Sequence, residues 1–339
     1  MKIISLLMMI IQYAIKVIKP VQRYIDSGKV EAEILYDIKK KDIENKSHCM
    51  KIIESFLFEK DNIEYLAIVT EKLGFSLYDY IKMNEYHGFP LSQIRLYAKE
   101  ILEGVNFLHK NGLIDSDLKP ENILFSTTNY TITTNPEKLP LNVIKKSKNM
   151  KMKEKIKFSE NKPYYIPSII NNDLKIIDFG GVIYKKDNKN DMINTRQYRA
   201  PEDILQCSNW DEKSDIWSIA CIIYELYSGE VLFPTHDDQE HLCMIEKICG
   251  NFPNWMISKG NNIRKIFNLN NNCINYNYLH KKHDIIKAVD NIIQIEDSIP
   301  NEHFFFKDFL QFLLQVDPNK RPNGEEALKH SFFSVEIQD

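Results

Sequence analysis

Glycine is scarce in this chain: 11 residues in 339, the first of them Gly28. No Gly-x-Gly-x-x-Gly occurs in it. That excludes, within these residues, the glycine-rich turn that lays several backbone N–H groups on a polyphosphate. Paired cysteines are missing as well. Cys49, Cys207, Cys221, Cys243, Cys249 and Cys273 form no Cys-x-x-Cys and keep no regular spacing. A zinc ribbon and a disulfide frame are thereby excluded, and buried thiols in a reducing compartment are expected. No apolar run reaches the roughly 18 residues that cross a bilayer. Residues 1–11 offer one lysine followed by an apolar stretch, too short to span and without the small-residue pattern of a signal cleavage site.

A surplus of one charge sign is also absent, since 44 basic and 47 acidic residues give a net −3. The balance hides an asymmetry. Residues 126–172 hold nine lysines and three glutamates, or +6, which leaves −9 on the rest. An acidic body steers basic partners towards itself. The content that remains, 43% hydrophobic and 27% charged, is that of a soluble globular chain long enough for one two-lobed unit.

Two segments carry chemistry. Residues 115–125 read Asp-Ser-Asp-Leu-Lys-Pro-Glu-Asn-Ile-Leu-Phe, and residues 178–180 read Asp-Phe-Gly. Together they supply a carboxylate, Asp117, to orient an acceptor hydroxyl and a lysine, Lys119, to neutralise a transferring phosphoryl group. They also supply two oxygen ligands, Asn122 and Asp178, for magnesium. Upstream, Tyr13-Ala14-Ile15-Lys16 reads as an apolar strand ending in a lysine that would reach nucleotide phosphates. Its long stem needs an opposing carboxylate. Glu31 is the choice and Glu33 the rival, both in a segment from Arg23 to Ile38 where Val30, Ile34, Leu35 and Ile38 recur at helical spacing. Glu202 and Arg321 form a candidate buried pair with a structural role.

The order of these motifs resembles that of a eukaryotic protein kinase. Within that superfamily, Glu240 to Gly250 (EHLCMIEKICG) is similar to the signature of the LAMMER dual-specificity kinases. Leu242, Met244 and Glu246 match it, while Cys243, Ile245 and Lys247 depart. Thr195-Arg196-Gln197-Tyr198-Arg199-Ala200-Pro201-Glu202 and Ser214-Asp215-Ile216-Trp217-Ser218 are similar to their counterparts in that group.

The resemblance implies an α+β, two-lobed kinase fold over 12–334. A small β-rich lobe would span 12–70 and lack its first two strands, consistent with a truncated start at Met1. A hinge would follow at 71–74 and a mainly helical lobe at 75–334, interrupted by a flexible basic insertion at 126–172. It implies ATP and Mg2+ as cofactors. Adenine would be held by the Glu71 C=O and the Leu73 N–H, with Thr70 behind it and Ser76 and Asp79 near the ribose. Asp215 would prop the catalytic loop. The implied partners are protein substrates rich in arginine–serine dipeptides, with Glu121, Asp203, Asp237 and Asp238 as candidate arginine contacts. A monomer is implied, nuclear or cytoplasmic, with no direct nucleic-acid or membrane binding. Thr195 and Tyr198 are candidate phosphorylation sites.

Several readings compete with an active enzyme. The missing glycine-rich loop and Asp115, where the family has histidine, fit a scaffold that no longer transfers phosphate. A carboxylate in that packed column must find donors or stay wet. Lys145, Lys146 and Lys148, with the lysines to Lys157, read as a merely soluble insert, a nuclear import signal or a nucleic-acid patch. Lys39 to Asp42 reads as a solvated turn, and Asn261 to Asn277 as loop.

Overall fold

The computed structural model describes residues 12–128, 130–133, 142, 164–167, 173–187, 193–207, 210–260, 264–268 and 270–337. The small lobe consists of β1 (Tyr13–Val17), helix α1 (Gln22–Lys41), β2 (Ile52–Lys60) and β3 (Ile63–Glu71). The three strands form one antiparallel sheet in the order β1-β3-β2. Alternation along β1 puts Ala14 and Lys16 on one face and Tyr13, Ile15 and Val17 on the other. Those three remain 49%, 61% and 52% exposed, so β1 is an open apolar edge among the described residues.

Helix α1 lies against the sheet through Ile25, Ala32, Ile34, Leu35 and Ile38. Close approach is possible because Gly28 has no Cβ; one would stand 3.0 Å from both Ile18 Cγ1 and Leu66 Cδ2. Two expectations are corrected here. Val30 points to solvent, because the buried stripe is set by Ile25 and Glu31. Lys39, Lys40 and Lys41 are the last turn of α1 rather than a loop, where cations complement the negative end of the helix dipole.

The large lobe opens with α2 (Leu77–Met83) and the long α3 (Leu91–Lys110), whose apolar face includes Ile94, Ala98, Ile101, Leu102, Val105 and Leu108. Four short strands then carry the chemical segments: β4 (Leu113–Ile114) pairs with β9 (Ile183–Tyr184), and β5 (Ile123–Phe125) with β8 (Leu174–Ile176). Helices α4 (Pro201–Ile204), α5 (Lys213–Ser228) and α6 (Asp238–Cys249) follow. Nearly all of α5 is buried, and it stops at Gly229, whose φ of 74° is a left-handed conformation that glycine adopts most readily. Phe304–Leu313 and Gly324–Leu328 close the lobe.

The segment between β5 and β8 holds more order than its composition suggests. Within it β6 (Tyr130–Thr133) pairs antiparallel with β7 (Tyr164–Pro167). Asn142 is buried and its Nδ2 donates to the carbonyls of Phe89 at 3.1 Å and Tyr227 at 2.6 Å. The lysines of this segment, and residues 1–11, lie outside the described residues. Asn261 to Asn277 contains a small antiparallel pair, Phe267–Asn268 with Cys273–Ile274. It is tied to α6 by the Ile274 N–H donating to Glu246 Oε1 at 2.7 Å.

Candidate active site

Lys16 sits at the junction of the lobes. Its Nζ donates to both oxygens of Glu31, at 2.8 and 2.9 Å, and to Asp178 Oδ1 at 3.0 Å. Glu31 is buried on α1, whereas Glu33 faces solvent. Burial works to lower the Lys16 pKa; the hydrogen bonds and charges of Glu31, then of Asp178, outweigh it and hold the ammonium form. Asp178 follows β8 with a φ of 61°, a left-handed conformation that an aspartate adopts at a cost of order 1–3 kcal/mol. That backbone turn leaves its carboxylate 48% exposed beside the lysine. A cavity of about 340 Å3 opens there, lined in part by Lys16, Tyr24, Ser27, Gly28, Glu31 and Gly180.

A second cluster is built on the loop between β4 and β5. Asp117 Oδ2 accepts from Lys119 Nζ at 2.6 Å. Its Oδ1 accepts from the Thr195 N–H at 3.1 Å and the Thr195 hydroxyl at 2.7 Å, and Lys119 Nζ also reaches that hydroxyl at 3.2 Å. Asn122 closes the loop by donating its Nδ2 to the Asp117 carbonyl at 3.0 Å. Its amide oxygen and the second oxygen of Asp178 have no protein partner among the described residues. Free hard oxygens of this kind suit magnesium, which takes few protein ligands and completes its shell with water and phosphate. Such a constellation can orient a hydroxyl, hold a metal-bound polyphosphate and neutralise charge moving between them.

The loop itself hangs on α5. Asp215, fully buried, accepts the N–H groups of Asp115 at 3.0 Å and Ser116 at 3.1 Å, and His109 Nε2 lies 2.7 Å from the same carboxylate. Ser116 has a φ of 67°, which lets its hydroxyl donate to the Gly181 carbonyl at 2.5 Å while its own carbonyl accepts from the Asn194 N–H at 2.7 Å. One residue thus ties both ends of the 181–194 segment. Asp115 neither stays wet nor finds a full set of donors. It is buried, Oδ1 takes only the Asp117 N–H at 3.2 Å, and Oδ2 has no partner. Burial, then the charge of Asp215, pushes its carboxyl well above the usual range.

Other expected residues have different surroundings. Glu202 and Arg321 make a buried bidentate pair at 2.7 and 3.0 Å, far from the lysine cluster in role. Glu71 ends β3, and its side chain accepts the Lys51 N–H at 2.8 Å; the Leu73 N–H has no partner among the described residues. Ser76 and Asp79 are spent on the capping box that starts α2. Asp203 is buried against Arg199, Asp237 caps α6 and meets His280, and Asp238 pairs with Arg196. Of the four candidate arginine contacts only Glu121 stays exposed and unengaged by an ion pair among the described residues. Tyr198 is buried with its hydroxyl donating to Glu225 Oε2 at 2.7 Å, which corrects its reading as an accessible phosphorylation site. The Thr195 bridge and the Ser116 clamp escaped the sequence reading, because contacts across 78 and 65 residues leave no local pattern.

The protein kinase domain family matches residues 10–333. The chain belongs to that family. Among its relatives, the dual specificity protein kinase CLK1 of Homo sapiens is 36% identical over 327 residues, which cover 95% of this chain and 60% of the relative. The probable serine/threonine-protein kinase clkA of Dictyostelium discoideum is 33% identical over 337 residues, covering 97% of this chain and 34% of that protein. The chain therefore spans about 60% or less of these relatives' lengths. A crystal structure of a kinase domain superposes with a TM-score of 0.77 at 34% identity, covering 95% of this chain and 87% of that one. The small sheet lobe and helical large lobe are those of the kinase fold.

Proposed function

We propose that this kinase-family chain transfers the γ-phosphoryl group of ATP to serine and threonine hydroxyls of protein substrates, and to tyrosine in its own chain. The observation that carries this reading is the assembly, at one junction, of Lys16 against Glu31 and Asp178, with Asp117 and Lys119 sharing the Thr195 hydroxyl. Asp117 takes the role of orienting the acceptor hydroxyl, as it already orients Thr195. Lys119 neutralises charge on the transferring group. Lys16, braced by Glu31, binds the nucleotide phosphates. Asn122 and Asp178 hold Mg2+, which when bound shields the charge of the terminal phosphates. Glu71 and Leu73 receive adenine; the Leu73 N–H, without a partner among the described residues, supports that assignment. Asp215 supports the loop, and Glu202 with Arg321 the segment before α5.

Arginine–serine-rich proteins such as splicing factors are the substrates we infer, with a monomeric, nuclear enzyme. The support is the acidic balance outside residues 126–172 and the likeness to CLK1, itself named a dual specificity kinase. The test is phosphate incorporation from Mg-ATP into an arginine–serine peptide and an acidic serine peptide of equal length. Preference for the basic peptide, lost at high salt, supports the substrate class; equal rates would contradict it. A scaffold reading retains one specific observation in its favour, the partnerless buried oxygen of Asp115 beside the loop. It predicts no transfer to either peptide.

A further inference from the structure

Two buried carboxyls, Asp115 and Asp215, lie behind the catalytic loop and the part-exposed Asp117 lies on its open side, and the three are not equally supplied with donors. Asp215, 0% exposed, collects two backbone N–H groups and faces His109 Nε2. Asp117 collects Thr195 and Lys119. Asp115, 3% exposed, has a single N–H for one oxygen and nothing for the other. Its charged neighbours are Asp215 on α5, Asp117 on its own loop and Asp178 beyond β8, with the buried Cys49 thiol close by. Two buried carboxyls this close do not both ionise, and the one poorer in donors takes the proton. An unpaired neutral O–H in a dry site costs far less than an unpaired charge.

We propose that Asp115 works as a neutral carboxylic acid, a positioning residue whose Oδ1 holds the backbone of the catalytic base. The geometry makes the link short: the group it binds is the N–H of Asp117 itself, and the N–H of Asp115 is in turn held by Asp215. A proton on Asp115 keeps this chain of bonds free of repulsion between the two carboxyls. Losing it would set two negative charges against each other beneath the base and release the loop. That role for activity rests on the kinase reading above; the protonation state does not.

The test therefore begins without activity. In the folded state Asp115 keeps a proton that the unfolded chain has lost above about pH 4, so the native state binds one more proton and stability falls as pH rises. Against Asp115→Asn, the folding constant of the parent falls by up to about tenfold per pH unit above pH 4, until the native proton leaves. Other buried acids contribute equally to both chains and cancel. Parallel stability curves would overturn the proposal. Should Asp115→Asn not fold, infrared spectra at pH 8 with carboxyl-labelled aspartate decide: a protonated-carboxyl band that shifts with the label and persists in Asp203→Asn supports it, and absence of such a band refutes it. Phosphate transfer then tests positioning. Asp115→Asn should keep transfer within about threefold and lose the alkaline fall in rate, while Asp115→Ala should lose ten-fold or more in kcat with ATP KM unchanged. An identical alkaline limb in Asp115→Asn would contradict a positioning proton at that residue.

Discussion

Individual side chains here owe their roles to how unevenly donors are distributed. Lys16 has three carboxylate oxygens within 3.0 Å, so removing its partner Glu31 leaves an ammonium held by Asp178 alone. Glu31→Gln is expected to weaken ATP binding by about 10-fold or more while leaving the melting temperature nearly unchanged, read by nucleotide titration. The Glu202–Arg321 pair behaves oppositely, because both groups are buried and no reaction uses them. Arg321→Met strands a buried carboxylate and should destabilise the fold by about 3–5 kcal/mol, measured by urea unfolding. Glu100, Asp203 and Glu225 are each pushed up to about 7, in each case chiefly by burial. Raised carboxyls keep protons that the unfolded chain releases near pH 4, so their contribution to stability is lost as pH rises from about 4.5 to 7. Urea midpoints should fall across that window, and Glu100→Gln should flatten the decline.

At the scale of elements, turns are where the fold is least tolerant. Gly229 ends α5 with φ of 74°, and a Cβ there would stand 1.9 Å from the Tyr86 carbonyl oxygen. Gly229→Ala should therefore cost more than the ~1 kcal/mol of an ordinary left-handed cap, with a visible drop in melting temperature. The core helices were legible in the chain because they repeat apolar residues at i, i+3 and i+4, as Ile94, Ala98, Ile101, Leu102 and Val105 do. The lysine, the two carboxylates and the asparagine were legible because their spacing is local. Lys39 to Lys41 misled, since a charged helix end and a solvated turn have the same composition. The β6–β7 pair was hidden because its strands stand 30 residues apart, separated by the lysine-rich segment. Asp115 was read as a charge, and only the absence of donors in three dimensions reveals why it cannot easily be one.

In the whole molecule one apolar core runs through both lobes, backbone bonds tie Met50 and His48 to Ile176, and Lys16 to Asp178 adds a polar bond across 162 residues. A nucleotide that binds across the same junction stabilises the fold by mass action, by about 2.7 kcal/mol at a hundredfold excess over its Kd. The edge of β1, open among the described residues and with Ile15 61% exposed, makes the small lobe the element expected to open first. The most direct measurement is the initial rate of phosphate transfer from Mg-ATP to an arginine–serine peptide, for the parent chain and for Asp117→Ala. Orientation of the acceptor by Asp117 predicts clear transfer by the parent and a loss of about 100-fold or more in kcat on substitution. Equal rates in the two chains, or none in a folded parent that binds Mg-ATP, would contradict the account.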